Sequence, residues 1–390
     1  MDAKINIIVF GLPSWKDDYI KSTVELSKEF SLHEKVNSVL YVDYQYTLKD
    51  IITKFKELNI LKILGFKPRI TKVENVNVYS PIPILPINWI KNKKIFNILS
   101  KFNAFLLKIG IKKQIKKLKL NNIVIINALN PIYGFHLNKK INEKLTVYYC
   151  YDEISACNWI NIHGSYYEQK FIKKCDLVIT ASKPLEKEKK KYNKNTIVIQ
   201  NGVPFKKYEK YLDLNRFKLI QTPIVCYSGA IDNRIDLELL KYTINGIQTA
   251  IFKFIGPIKN KIIFETLSKY KNVIFVGNLN QIDYIKELNT CHVGIIPFVK
   301  NKFTENSNVL KIYDYFAAGL QIVSTDFSDL SDFKDEIYIT NNKKIFKDNI
   351  KSAIIHKNYV KAQQKVNIAE QHSWSNRANK FINEIYNKIH

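Results

Sequence analysis

The sequence predicts an α/β protein made of two doubly wound parallel-sheet domains with a cleft between them. Three observations predict it. Apolar runs of about four to six residues, rich in Val and Ile, recur along the chain. Apolar residues occupy both parities of these runs, as in strands buried on both faces of a parallel sheet. Amphipathic stretches separate the runs, and a polar segment at 201–223 divides them into two series.

In the first series strands are expected at 5–10, 38–42, 76–80, 123–126, 146–149, 177–180 and 196–200. The second series places them at 224–228, 251–255, 272–276, 293–297, 321–325 and 337–340. Helical periodicity lies between them, for example at 18–30 and 236–245. NGVP at 201–204 closes the first series, and FKKYEKYLDLNRFKLIQTP leads into the second. The expected organisation is a Rossmann-like domain over 1–205, a second over 206–371, and a helix over 372–390 that packs back on the first. Ligands of such sheets bind outside the carboxyl ends of the strands, so residues just after strands carry the information.

Composition narrows the function classes. A chain of 390 residues with 46% hydrophobic residues can bury two cores, and only 12 Gly and 11 Pro argue against disorder. Lys and Arg outnumber Asp and Glu by 61 to 35, a net charge of +26. An anionic partner is expected: nucleic acid, an acidic membrane surface or phosphorylated substrates. Part of the excess goes with a general richness in Lys, Asn and Ile. The five cysteines, Cys150, Cys157, Cys175, Cys226 and Cys291, show no CxxC pair and no zinc spacing, as for free thiols in a reducing compartment. MDAKINIIVFGLPSW lacks the pattern of a signal peptide, and no stretch reaches the ~20 apolar residues of a membrane span. A cytoplasmic protein that touches a membrane from its inner face is expected.

The motifs after the strands occur in a definite order: FGLPSW at 10–15, CYDE at 150–153, YSGAIDNRIDLELL at 227–240, FKFIGPI at 252–258, NVIFVGNL at 272–279 and LKIYDYFAAGLQIVST at 310–325. With CDLVITASKPL (175–185), VIQNGV (198–203) and HSWSNRANKFINEIY (372–386), this order resembles glycosyltransferases of the two-domain GT-B fold. The resemblance is to bacterial family-four-like enzymes of polysaccharide assembly, including the teichuronic-acid type, and runs over nearly the whole chain. Two positions depart from that family. Its paired glutamates, with seven residues between them, map to Asn306 and Asp314, and its Gly-Arg-Leu phosphate motif maps to Gly229, Ala230 and Ile231.

The resemblance implies transfer of a sugar from a nucleoside-diphosphate donor, a UDP-sugar by preference. That chemistry needs cations or helix N-termini at the departing diphosphate and an acceptor held in line. Arg234 and Lys311 are placed for the first task, with Thr304, Ser307 and Asn308 where the loop enters the next helix. Gly229, Gly256, Asn278 and Leu279 line the same strand ends, and Asp314 is implied to contact donor hydroxyls. Each has a plainer alternative. Lys311 and Asp314 suit a solvated pair at i,i+3. Arg234 suits a pair with Asp232 or Asp236, and the glycines suit simple turns. Asp152 and Glu153 are the candidates for acceptor base, with helix capping as the alternative for Asp152. Gly11, Trp15 and Asp17 are candidates on the acceptor side. His136 and His163 read as structural. No Asp-x-Asp motif follows a strand, so no metal is expected.

The stretch 75–142, bracketed by Glu74 and Glu143, contains no acid and twelve lysines, ten of them between Lys91 and Lys119. Ile95, Ile98, Leu99, Phe102, Phe105, Leu106 and Ile109 form one helical stripe, and Lys94, Lys101 and Lys108 recur every seven residues beside it. A basic amphipathic helix over about 88–120, after Trp89 and PIPILPIN, is expected to lie in a membrane interface or to pack on its domain with a solvated lysine face. The charge is +17 over 1–205 (34 minus 17) and +9 over the remainder (27 minus 18). The partners expected are a nucleotide sugar, a saccharide or lipid-linked saccharide acceptor and an anionic membrane, not nucleic acid. A nucleic-acid-binding protein would show Arg and aromatics interleaved on an exposed surface, and Arg is rare. A catalytically inactive GT-B scaffold is the other alternative, because Asn306 breaks the acid pair.

Overall fold

Eight strands make the first sheet: β1 (Ile5–Phe10), β2 (Val36–Val42), β3 (Ile70–Val73), β4 (Val76–Tyr79), β5 (Ile123–Ala128), β6 (Leu145–Cys150), β7 (Leu177–Thr180) and β8 (Thr196–Val198). Their order is β3-β4-β2-β1-β5-β6-β7-β8. All neighbours are parallel except β3 and β4. The second sheet joins β9 (Ile224–Ser228), β10 (Ile251–Ile255), β11 (Val273–Gly277), β12 (Val293–Ile296), β13 (Gln321–Ser324) and β14 (Tyr338–Ile339), in the order β11-β10-β9-β12-β13-β14. It is parallel throughout. The structure is a computed structural model that describes residues 4–15, 21–53, 69–157, 159–160, 162–218, 221–307, 309–355 and 359–389.

The central strands β1, β5, β6 and β7 are buried at every position, which is why their apolar residues ignore the two-residue alternation. The strand missed in the sequence is β3, whose ITKV pairs antiparallel at the sheet edge and is half-solvated. The chain divides into two units. Described residues up to Gln200, with Arg377 onward, form the first, and Asn201–Asn376 the second. The helix Trp374–Ile389 gives the first unit Phe381, Ile382 and Ile385, all fully buried. Phe381 packs against Phe30 at a tilt and edge-on to Tyr149, at ring separations of 5.7 and 5.2 Å.

The lysine-rich helix runs over Lys93–Lys117, shorter than 88–120 because Asn92 caps it: its side chain accepts from the N–H groups of Lys94 and Ile95. It packs through Phe96, Ala104, Leu107 and Ile111. The apolar stripe expected from the sequence is on another face. Ile95, Ile98, Phe102, Phe105 and Ile109 are 48–65% exposed.

Candidate functional site

The second sheet reverses direction of strand addition between β9 and β12, the place where such sheets bind ligands at the carboxyl ends. The loops leaving these two strands are joined. Asp236 N–H donates to Pro297 O at 2.8 Å, Val299 N–H donates to Arg234 O at 2.7 Å, and Ile235 bridges Phe298. The adjacent β10 loop is locked in as well: Gly229 N–H donates to Ile255 O at 2.8 Å and Gly256 N–H to Gly277 O at 2.8 Å. Gly229 (φ +118°) and Gly256 (φ +143°) adopt backbone that side chains disfavour, and a Cβ on Gly256 would strike the Gly229 carbonyl.

Lys311 rises from the first turn of the helix Leu310–Ala317 into this junction. It is only 7% exposed, and its Nζ has no hydrogen-bond partner. The ammonium lies 3.8 Å from the Tyr227 ring centroid and 4.4 Å from that of Phe298. A Cβ built on Gly229 would stand 3.3 Å from it, so glycine leaves the cation open to the loop backbone. Burial, reinforced by the nearby Arg234 charge, pushes the Lys311 pKa well below the usual lysine range. A buried, unpaired lysine is costly in itself, and an anion beside it would remove the penalty.

Asp314 is buried three residues on, and the solvated i,i+3 pair is not formed. Tyr208 Oη donates to its Oδ1 at 2.8 Å and Tyr284 Oη to its Oδ2 at 3.1 Å. Tyr284 Oη is also 3.0 Å from Ser228 Oγ. Burial raises the Asp314 pKa to about 6, against the pull of both tyrosine hydroxyls and Lys311. Arg234 takes its plainer alternative: Nε donates to Asp232 Oδ1 at 2.9 Å and Nη2 to Oδ2 at 2.7 Å, a forked pair. Its guanidinium is nevertheless 5.2 Å from the Phe298 ring that Lys311 also faces, so the two cations share one aromatic neighbour.

Other expected residues fall differently. Thr304 is fully buried, and its hydroxyl donates to Val299 O at 2.8 Å within a capping box with Asn301, so it is not offered to a phosphate. Ser307 Oγ donates to Phe303 O at 2.9 Å. Asn278 is exposed and Leu279 half-buried just beyond β11. Asn308 and Asp17 lie outside the described residues. Asn306 Nδ2 donates to Lys302 O at 2.7 Å.

In the first unit Glu153 is a correction. It is 3% exposed, accepts from Ser155 N–H and pairs with Lys189 Nζ at 3.3 Å. Burial alone would raise its pKa, but Lys189 and the Ser155 hydrogen bond more than offset this and hold it at about 2. Such a carboxylate is a weak base, and it caps the turn Ile154–Ala156 instead. Lys189 also reaches Glu168 Oε2 at 2.9 Å, so this cluster is internal. Asp152 is half-buried. Gly11 is packed so closely under Tyr41 that a Cβ would collide with the ring. Trp15 lies edge-on to Tyr41 at 5.0 Å, with its backbone N–H donating to Asp43 Oδ1 at 2.8 Å. His136 lies 2.9 Å from Ser100 Oγ and His163 2.9 Å from Ile90 O, both in structural roles.

The residues that sequence reasoning missed are Tyr227, Phe298, Tyr208 and Tyr284, while Asp232 was named as a partner of Arg234. The aromatics carried no signal, because in a strand or helix they read as core. Among the described residues no group of His, Cys, Asp and Glu is arranged to hold a metal ion.

No protein-family profile matches the chain. A Bacillus subtilis (strain 168) protein named as a teichuronic acid biosynthesis glycosyltransferase, TuaH, is 21% identical over 173 residues, 42% of this chain. The match spans 44% of that protein's length. Three solved structures are similar over nearly their whole length. A glycosyltransferase from Rickettsia africae ESF-5 has a TM-score of 0.65 at 15% identity, covering 99% of this chain and 98% of its own. HepE of Anabaena in complex with UDP has a TM-score of 0.66 at 11% identity, covering 98% and 100%. The catalytic domain of Arabidopsis thaliana starch synthase IV, bound to ADP and acarbose, has a TM-score of 0.68 at 10% identity, covering 100% of each chain. The fold is therefore the GT-B fold, with two parallel-sheet domains.

Proposed function

We propose that the protein is a glycosyltransferase that takes a nucleoside-diphosphate sugar, UDP-linked by preference, at the carboxyl edge of the second sheet. One observation carries this reading: a cation, Lys311, is buried without a partner beside a glycine whose missing side chain leaves room for an anion. In the proposed complex the Lys311 ammonium meets the diphosphate and stabilises it as negative charge develops on the leaving group. Arg234, held by Asp232, adds positive charge without needing to leave its pair. Asp314, fixed by Tyr208 and Tyr284, accepts from donor hydroxyls. Asp152 is the remaining candidate for acceptor base. The acceptor is a saccharide, lipid-linked or growing, met at the cytoplasmic face of the membrane. The HepE and starch synthase IV structures, with UDP and ADP bound, support the donor class. Asn306 in the place of a family glutamate favours one other reading, a GT-B domain that binds a nucleotide sugar without transferring the sugar.

The test is a thermal-shift panel of UDP-, GDP- and ADP-sugars on the native protein and on Lys311→Met. A nucleotide-sugar shift in the native protein that vanishes in the variant is expected. The unliganded variant should itself melt higher, by about 1–3 kcal/mol of stability, because a buried unpaired charge has been replaced by an apolar chain of similar shape. No shift with any nucleotide sugar would refute the donor site. A shift with no sugar transfer to any acceptor would favour the inactive scaffold.

A further inference from the structure

A second cationic site lies in the first unit, far along the chain from Lys311. Lys93, Lys94, Lys101, Lys140, Lys170 and Lys174 line one open basin, together with Asn97 and Tyr166, and no carboxylate lines it. No ion pair among the described residues involves any of the six. Aromatic faces hold three of them. Lys93 Nζ is 3.5 Å and Lys170 Nζ 4.6 Å from the same Tyr166 ring centroid, and Lys174 Nζ is 4.7 Å from that of Phe135. The crowding is felt nearby. Burial first, then Lys140 and Lys101, lower the His136 pKa to about 4.

The basin shares its helix with the exposed apolar strip. Ile95, Ile98, Phe102, Phe105 and Ile109 follow steps of three and four and so form one line on Lys93–Lys117. Lys94 and Lys101 each precede a member of that line, and their row lies roughly a fifth of a turn from it. A free phosphate or a nucleic acid would satisfy the lysines and leave five large apolar side chains in water. A second copy of a chain carrying +26 would be repelled. An anionic bilayer meets both features at once, with headgroup phosphates above and hydrocarbon below.

We propose that this basin binds the phosphate of a lipid headgroup while the strip at 95–109 lies in the membrane interface. The proposal deepens the membrane-face reading above and does not depend on the donor site. It is tested by sedimenting the full-length protein with vesicles of phosphatidylcholine alone or with about 30% phosphatidylglycerol. Two double variants are compared, Lys101→Glu/Lys170→Glu in the basin and Ile98→Ser/Phe102→Ser in the strip. All four positions are exposed, and circular dichroism with the UDP-sugar shift checks that each variant folds.

The native protein should prefer the anionic vesicles by about tenfold or more, and the basin variant should lose that preference. Inorganic pyrophosphate should displace native protein. The strip variant should keep anionic binding at low salt and lose it by about 0.5 M salt, where native protein retains part of its binding. Equal binding of basin variant and native protein would overturn the proposal. So would a native protein indifferent to anionic vesicles, whatever pyrophosphate does to its stability, because the proposed donor site also takes a diphosphate. Vesicle binding without a UDP-sugar shift would sink the donor reading alone.

Discussion

Lys311 and Asp314 show how burial changes what two charged side chains mean. On a solvated helix they would be an i,i+3 pair worth only about 0.2–0.5 kcal/mol. Buried, the lysine faces aromatic rings and the acid is held by tyrosine hydroxyls. Asp314 carries a pH signature. Its pKa rises from 3.8 to about 6 on folding, because burial disfavours the charged form more than its hydrogen bonds favour it. Between those values the folded protein keeps a proton that the unfolded chain releases. Stability should therefore fall as pH rises from about 4 to about 6, by at most about 3 kcal/mol, and stay level above that. In Asp314→Asn this part of the slope should disappear. Urea unfolding of both proteins at a series of pH values measures it, and identical slopes would show that Asp314 titrates normally.

At the scale of elements, the site is a meeting of three post-strand loops. Gly256 is the tightest point, since its φ of +143° and its contact with the Gly229 carbonyl both exclude a side chain. Gly256→Ala is expected to lose about 1–3 kcal/mol in stability and to abolish the UDP-sugar shift, because Gly229 is displaced with it. Retention of the full shift would mean that the β10 loop does not shape the donor site. The positions of these loops were legible in the sequence, since Val- and Ile-rich runs ending at 228, 255 and 296–297 mark where the loops begin. The content of the loops was less legible. Thr304 read as a phosphate ligand, but a side chain three residues after Asn301 closes a capping box instead. Glu153 read as a base, but Lys189, 36 residues on, neutralises it. Pairings of that kind depend on sequence-distant neighbours and leave no local pattern.

At the scale of the molecule, the first unit is finished by the chain's last helix. Phe381, Ile382 and Ile385 complete a core begun by Phe30 and Tyr149, and Tyr386 Oη donates to Lys35 O at 3.0 Å. Phe381→Ala should cost about 3–5 kcal/mol, the range for an aromatic removed from a packed core. A chain lacking 377–390 should bind a hydrophobic dye strongly and melt without a sharp transition. A sharp, native-like melt of that truncation would show that the first unit holds together without the helix.

The sequence by itself determined the alternation of buried strands and helices, the division near residue 201, the glycines at strand ends and the lysine excess. These follow from local composition and period, because a strand covered on both faces must be apolar at every position. Only the tertiary structure decided which charges are paired, which face of the helix Lys93–Lys117 meets the core, and which strip of it is left in water. Arg234 took Asp232, a neighbour the sequence already offered, but Glu153 found Lys189 across 36 residues, and Lys311 found no counter-ion. Electrostatic energy depends on distance and burial, and those exist only once the chain has brought remote residues together.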